Sequence, residues 1–178
     1  LEYDTVHKRL FIAETLSDRV TIWNLDPEQM SNYPEAIGVI GQQDFNTRLP
    51  QRTRNGLFLG DSMNHGIGSA GTRPTGLAMD EDNQRLFISD ASNHRVMVFD
   101  VDPARFENHP DAILVLGQPD FTSGLGPAPG ALSVDSTALT AAAQGSRAAQ
   151  TTPEPRADNM FWPAALDYDD KYDRLFVN

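Results

Sequence analysis

Apolar residues in this chain fall into short runs of strand length, separated by clusters of Asp, Asn, Gly and Pro. Over residues 74–122 four such runs predict strands at 76–79, 85–89, 95–100 and 112–116. Between them, Asp80-Glu81-Asp82-Asn83 and residues 90–94 carry turn chemistry, and Asp102-Pro103 and His109-Pro110 interrupt the last connection. Successive strand residues point to opposite faces, so Val96 and Val98 share one face while Met97 and Phe99 share the other. Val20 and Ile22 set against Thr21 and Trp23 repeat this two-sided pattern. A strand that is apolar on both faces is expected to be buried on both.

Sliding the chain along itself by about 76 residues lays residues 1–45 on residues 77–121 without a gap, with roughly two in five positions identical. Shared positions include Asp4 with Asp80, Arg9 to Ile12 with Arg85 to Ile88, and Arg19-Val20 with Arg95-Val96. Asp26-Pro27 with Asp102-Pro103, Gly41-Gln42 with Gly117-Gln118, and Asp44-Phe45 with Asp120-Phe121 follow. A third copy opens at Leu166 and keeps Asp169, Arg174, Leu175 and Phe176. A small antiparallel sheet, covered on both faces and repeated along the chain, fits the stacked blades of an all-β β-propeller. The predicted organisation is a blade at 1–46, an inter-blade loop at 47–73, a blade at 74–122, a low-complexity loop at 123–160 and the start of a third blade at 161–178.

Pro74-Thr75-Gly76-Leu77-Ala78-Met79-Asp80, Arg85 to Asp90 and Asn93-His94-Arg95-Val96-Met97-Val98-Phe99 resemble the NHL repeat, a propeller-blade motif. Val115-Leu116-Gly117-Gln118-Pro119-Asp120-Phe121 is similar to a segment that follows each blade in long-spaced bacterial NHL-repeat proteins. The resemblance covers about 110 of the 178 residues. It implies blade architecture more specifically than any activity. The first copy departs from the pattern, with Glu14, Ser17 and Asp18 where the second has Asp90, Asn93 and His94. The opening at Leu1 and the close at Asn178 within a strand pattern give the look of a fragment. An open arc of blades of that kind is expected to self-associate.

Charge and composition narrow the partners. Fourteen Lys and Arg against 25 Asp and Glu give a net charge of −11, which opposes nucleic-acid binding and repels anionic lipid. No run of apolar residues is long enough for a membrane helix, so membrane insertion is not expected. The absence of Cys removes disulfides, thiolate metal sites and a Cys nucleophile. The compartment is unassigned by the sequence, the bacterial resemblance favouring an extracellular or periplasmic setting over a cytoplasmic one.

Asp90, Asn93, His94 and Arg95 form the most motif-like cluster and are read as structural: Asp90 and Asn93 bond turn backbone, and Arg95 pairs with an acid or carbonyl of the next blade. Asp80, Glu81 and Asp82, with Asp169, Asp170 and Asp173, are read as solvated hairpin turns rather than a calcium site. In the recurring Gly-Gln-x-Asp-Phe segments, the Phe is expected to pack on the blade edge and the Asp to close a turn. Asn64 and His65, in a Gly-rich stretch, and Asn159, ahead of Phe161-Trp162-Pro163, are the candidate binding residues. No catalytic residue is assigned, since no Ser-His-Asp set, phosphate loop or zinc-protease helix occurs. The favoured function is a non-catalytic module binding protein, peptide or glycan, with no cofactor. The alternative is a propeller hydrolase or lyase with calcium or zinc in its channel.

Overall fold

The computed structural model describes residues 1–59, 75–123, 160 and 162–178. The described residues are all-β apart from two single-turn 3-10 segments. The first blade is a four-stranded antiparallel meander of β1 (Glu2–Asp4), β2 (Arg9–Glu14), β3 (Arg19–Asn24) and β4 (Gly38–Ile40). The second repeats it with β5 (Leu77–Asp80), β6 (Arg85–Asp90), β7 (Arg95–Asp100) and β8 (Leu114–Leu116). A third sheet holds β9 (Leu166–Asp169) and β10 (Arg174–Val177). These are two complete propeller blades and the start of a third. In the second blade the last strand begins only at Leu114: the Ile113 N–H still reaches Val98 of β7, but the Ala112 N–H turns away to the Arg54 carbonyl.

Register sorts the apolar residues into two interfaces. In the second blade Leu86 lies opposite Phe99 and Ile88 opposite Met97. Together with Leu77 and Met79 they pack on Phe11, Val20, Ile22 and Ile40 of the first blade. The opposite face, carrying Ala78, Phe87, Val96 and Val98, packs on Leu166, Tyr168 and Leu175 of the third sheet. The second blade is thus buried on both sides. The first is buried only towards the second, leaving Leu10, Ile12 and Trp23 half-buried on its other face.

Two expectations need correction. The inter-blade loop that begins at residue 47 does not lie wholly on the surface, since Leu57 and Leu59 are buried in the core between the first two blades. Nor are the hairpin acids all solvated. Asp80 is buried, its Oδ1 accepting the Asn83 N–H at 3.0 Å while Oδ2 meets the Arg85 Nε at 2.6 Å. Asp4 repeats that arrangement, with the His7 N–H at 3.0 Å and Arg9 Nη2 at 2.6 Å. Burial acts to raise both carboxyls, but backbone and side-chain donors and the neighbouring guanidinium hold them below the usual value.

The same arginine of each hairpin also binds the following blade. Arg9 donates to the Val101 carbonyl at 2.7 Å and to Gln84 Oε1 at 2.8 Å. Arg85, its repeat counterpart, donates to Tyr168 Oη at 3.3 Å and to Asp173 at 3.1 Å. A planar guanidinium offers five donors in a fixed fork, so one side chain can close its own turn and hold a neighbour.

Candidate functional site

The motif cluster sits where the second and third strands of the second blade are joined. Asp90 and Arg95 end a paired register, and Ala91–Asn93 makes the 3-10 turn between them. Asp90 and Arg95 are completely buried, with Arg95 Nε 2.6 Å from Asp90 Oδ2. Asn93 Nδ2 donates to the same oxygen at 2.9 Å, and the Phe58 N–H donates to Asp90 Oδ1 at 2.8 Å. Burial pushes the Asp90 carboxyl up, opposed by Arg95, Asn93 and Phe58. The Arg95 guanidinium at contact distance and the two further donors, Asn93 Nδ2 and the Phe58 N–H, favour its charged form against that burial.

The acid that Arg95 meets belongs to its own hairpin, not to the next blade as its position in the motif suggested. Its remaining donors go to the carbonyls of Gly56 at 3.1 Å, Thr53 at 3.2 Å and Phe121. Asn93 holds the same connector, donating to Gln51 O at 3.0 Å and accepting from Arg52 Nε at 2.9 Å. In the first blade Arg19 pairs with Glu14 at 2.6 Å and reaches the Phe45 carbonyl. Glu14 thus takes the role of Asp90 with one more methylene.

His94 follows in the left-handed conformation, φ 55°, and Asp18 holds the equivalent place at φ 50°. The carbonyl of each is bonded by the glutamine of the recurring segment: Gln118 to His94 and Gln42 to Asp18, both at 3.0 Å. The side chain of each accepts a backbone N–H of the incoming connector, Trp162 to His94 Nδ1 at 3.3 Å and Leu59 to Asp18 Oδ1 at 2.8 Å. The His94 ring also meets the Trp162 ring edge-on at 5.6 Å. Burial, with a contribution from Arg52, lowers the His94 pKa to about 4, so the imidazole is neutral and serves as an acceptor. Asp44 and Asp120 close turns on Asn46 and Thr47 and on Thr122 and Ser123. Phe121 packs against the core beneath the Arg54 guanidinium, whereas Phe45 is exposed.

The inner strands β1, β5 and β9 lie side by side, each hydrogen-bonded on one side only. Along them and their turns runs a cleft of about 350 Å³. Glu2, Ala78 and Asp167 occupy one repeat position in it, and Thr5, Glu81 and Asp170 another. Glu81 is held by Thr5, whose N–H and Oγ1 donate to its two oxygens at 2.6 and 2.7 Å. Burial raises the Glu2 carboxyl; the terminal ammonium opposes this, while Asp167, Glu81 and Asp170 add to it. Asp170 is raised by burial and then by Asp80, Asp82, Glu81 and Asp169. The sequence did not single out Glu2 or Asp167, because nothing local distinguishes them from other surface acids.

Asn64, His65 and Asn159 lie outside the described residues. Among the described residues no group of three or more His, Asp or Glu is arranged to hold a metal ion, and no helix is long and apolar enough to cross a membrane. No curated protein matches the chain in sequence. Residues 72–99, from the approach to β5 through most of β7, match the family model of the NHL repeat. The match, together with the strand order, the paired faces and the motif network, supports a likeness of the second blade to the NHL repeat, within a chain of β-propeller blades.

Proposed function

We propose that this chain works as a non-catalytic binding platform for a protein, peptide or glycan, engaged through the cleft along its inner strands. One observation carries the reading. Repeat positions that keep their residue type, such as Asp4 and Asp80 or Arg9 and Arg85, close turns and join blades. Positions that change type between copies, Glu2/Ala78/Asp167 and Thr5/Glu81/Asp170, line the cleft. Uniform positions serve what all blades share; divergent ones give a surface its individuality. The motif side chains Asp90, Asn93, His94 and Arg95 are engaged with backbone and with each other, which ties them to packing. The acid lining favours ligands that bring basic groups.

A panel of basic, acidic and neutral peptides and glycans, titrated by fluorescence anisotropy, tests this. Glu2→Gln, Asp167→Asn and Asp170→Asn should each weaken the bound ligand about threefold to tenfold, mainly through association rate and with a steep salt dependence. Binding that ignores all three substitutions places the ligand elsewhere. Hydrolysis of lactones or esters that appears on adding calcium or zinc would replace the reading with the metal-dependent enzyme.

A further inference from the structure

Among the described residues, every buried or half-buried arginine but one is paired with a carboxylate: Arg9 with Asp4, Arg19 with Glu14, Arg85 with Asp80 and Arg95 with Asp90. The exception is Arg52, in the connector between the first two blades. It is half-buried, and its Nε donates to Asn93 Oδ1 at 2.9 Å. Asn93 is itself completely buried and pinned, its Nδ2 bonded to Gln51 O at 3.0 Å and to Asp90 Oδ2 at 2.9 Å. The guanidinium is therefore held by one edge, while Nη1 and Nη2 have no acceptor and no ion-pair partner among the described residues. Asp90, whose charge acts on Arg52, is already matched by Arg95 at 2.6 Å, so Asp90, Arg95 and Arg52 together carry one positive charge in excess. Burial, and after it the charge of Arg95, lowers the Arg52 pKa, the mark of a cation short of a counter-charge.

We infer that the open edge of Arg52 binds a carboxylate, the side chain of an Asp or Glu in an acidic peptide. Nη1 and Nη2 lie in one plane and present a pair of donors that matches the two oxygens of a carboxylate. The excess of one charge matches a monoanion. A phosphate dianion brings a second charge for which the network has no second cation, since Arg95 is engaged with Asp90 and the His94 imidazole is neutral. Half-burial strengthens the pair, because water screens it less than on an open surface. The contact that fixes Arg52 is not one of the recurring turn closures, for Ser17 stands at the position of Asn93 in the first blade. The site is also separate from the acidic cleft: the turns carrying Glu81 and Asp90 lie at opposite ends of β6, so it stands whether or not the cleft takes a ligand.

NMR of the arginine Nε–H and histidine ring signals of the full chain reads this directly. The probe is acetyl-glutamate amide at about pH 7 and constant ionic strength, compared with the neutral acetyl-glutamine amide and with inorganic phosphate. The expected result is a saturable shift of the Arg52 signal, identified by its loss in Arg52→Lys, with a Kd on the order of 1 mM, the strength of one bidentate charge-assisted pair. The His94 ring, which feels the Arg52 charge, should shift with the same midpoint, and the His109 ring should not. Acetyl-glutamine amide should give no saturable response, and phosphate should bind at least about threefold more weakly. Followed through His94, Arg52→Met should abolish binding. Arg52→Lys keeps the charge without the fork and should weaken binding about threefold to tenfold, with a melting curve close to the parent's. The inference is overturned by a parent chain that shows no saturable shift, by an equal response to the glutamine probe, by phosphate binding as tightly as the carboxylate, or by either variant binding like the parent.

Discussion

Replacing Arg95 by Met tests the central device of the blade. The substitution keeps an unbranched, apolar stem in a completely buried site and removes the guanidinium that touches Asp90 at 2.6 Å. Asp90 then stays buried with Asn93 and the Phe58 N–H as its only remaining partners of those described, and the carbonyls of Thr53, Gly56 and Phe121 lose a donor. Removing one member of a buried ion pair costs about 3–5 kcal/mol, because the other charge remains uncompensated. Against a net stability on the order of 10 kcal/mol that is a large fraction, and for a chain of this length it corresponds to a fall in Tm of about 10 °C. Arg95→Lys should fall between, since one ammonium cannot reach acceptors that lie around a planar fork. Asp90→Asn with Arg95→Met should cost less than the sum of the two single changes. Arg105 supplies the control, pairing with Asp100 at 2.9 Å across the same sequence separation but in an exposed position. Thermal and urea unfolding of Arg95→Met and Arg105→Met, side by side, decide the matter. An Arg95→Met chain within about 1 kcal/mol of the parent, the size of a surface pair, would refute the reasoning, as would an equal loss in both variants.

Two further outcomes follow from the same geometry. The His94 pKa is about 4 in the fold against an ordinary 6.5, so between those values the unfolded chain binds the extra proton and stability falls as the solution is acidified from about pH 6.5 towards 4. His94→Asn retains an acceptor for Trp162 and tolerates the left-handed backbone, so it should flatten that limb of a Tm-against-pH plot; an unchanged slope would remove His94 as its cause. Gly41 has φ +90°, and a Cβ there would stand 2.6 Å from Leu57. Gly41→Ala should therefore cost about 1–3 kcal/mol in urea unfolding, and a neutral result would show that the connector yields freely.

The strands and their pairing were legible because period-two alternation carries its own consequence: Met97 and Phe99 turn to one neighbour, Val96 and Val98 to the other, and the repeat fixes which is which. The turns were legible as turns, but their depth was not. Asp80 reads as one of several surface acids until Arg85 is seen to close over it while reaching on to the third sheet. Backbone conformation repeats where residue type does not. Lys8, Gln84 and Asp173 occupy one repeat position at φ 55°, 52° and 52°, and no comparison of side chains would align them as the left-handed residue of a hairpin.

The connectors were the least legible part, for a reason the anchors make plain. Leu57 covers Gly41 and Leu59 bonds Asp18; Met160 covers Gly117 and Trp162 bonds His94. These are one device, built on residues of different types and placed at different distances from the next inner strand. Trp162 nearly abuts β9, whereas further chain intervenes between Leu59 and β5. A gap-free self-comparison aligns by distance along the chain and so passes over it. The cleft escapes for a related reason: Glu2, Glu81, Asp167 and Asp170 are remote in sequence and meet only because three inner strands stand side by side. The repeat then separates two kinds of position. Arg9 and Arg85, constant in type, join blades, whereas Glu2/Ala78/Asp167 and Thr5/Glu81/Asp170, which line the cleft, change type from copy to copy.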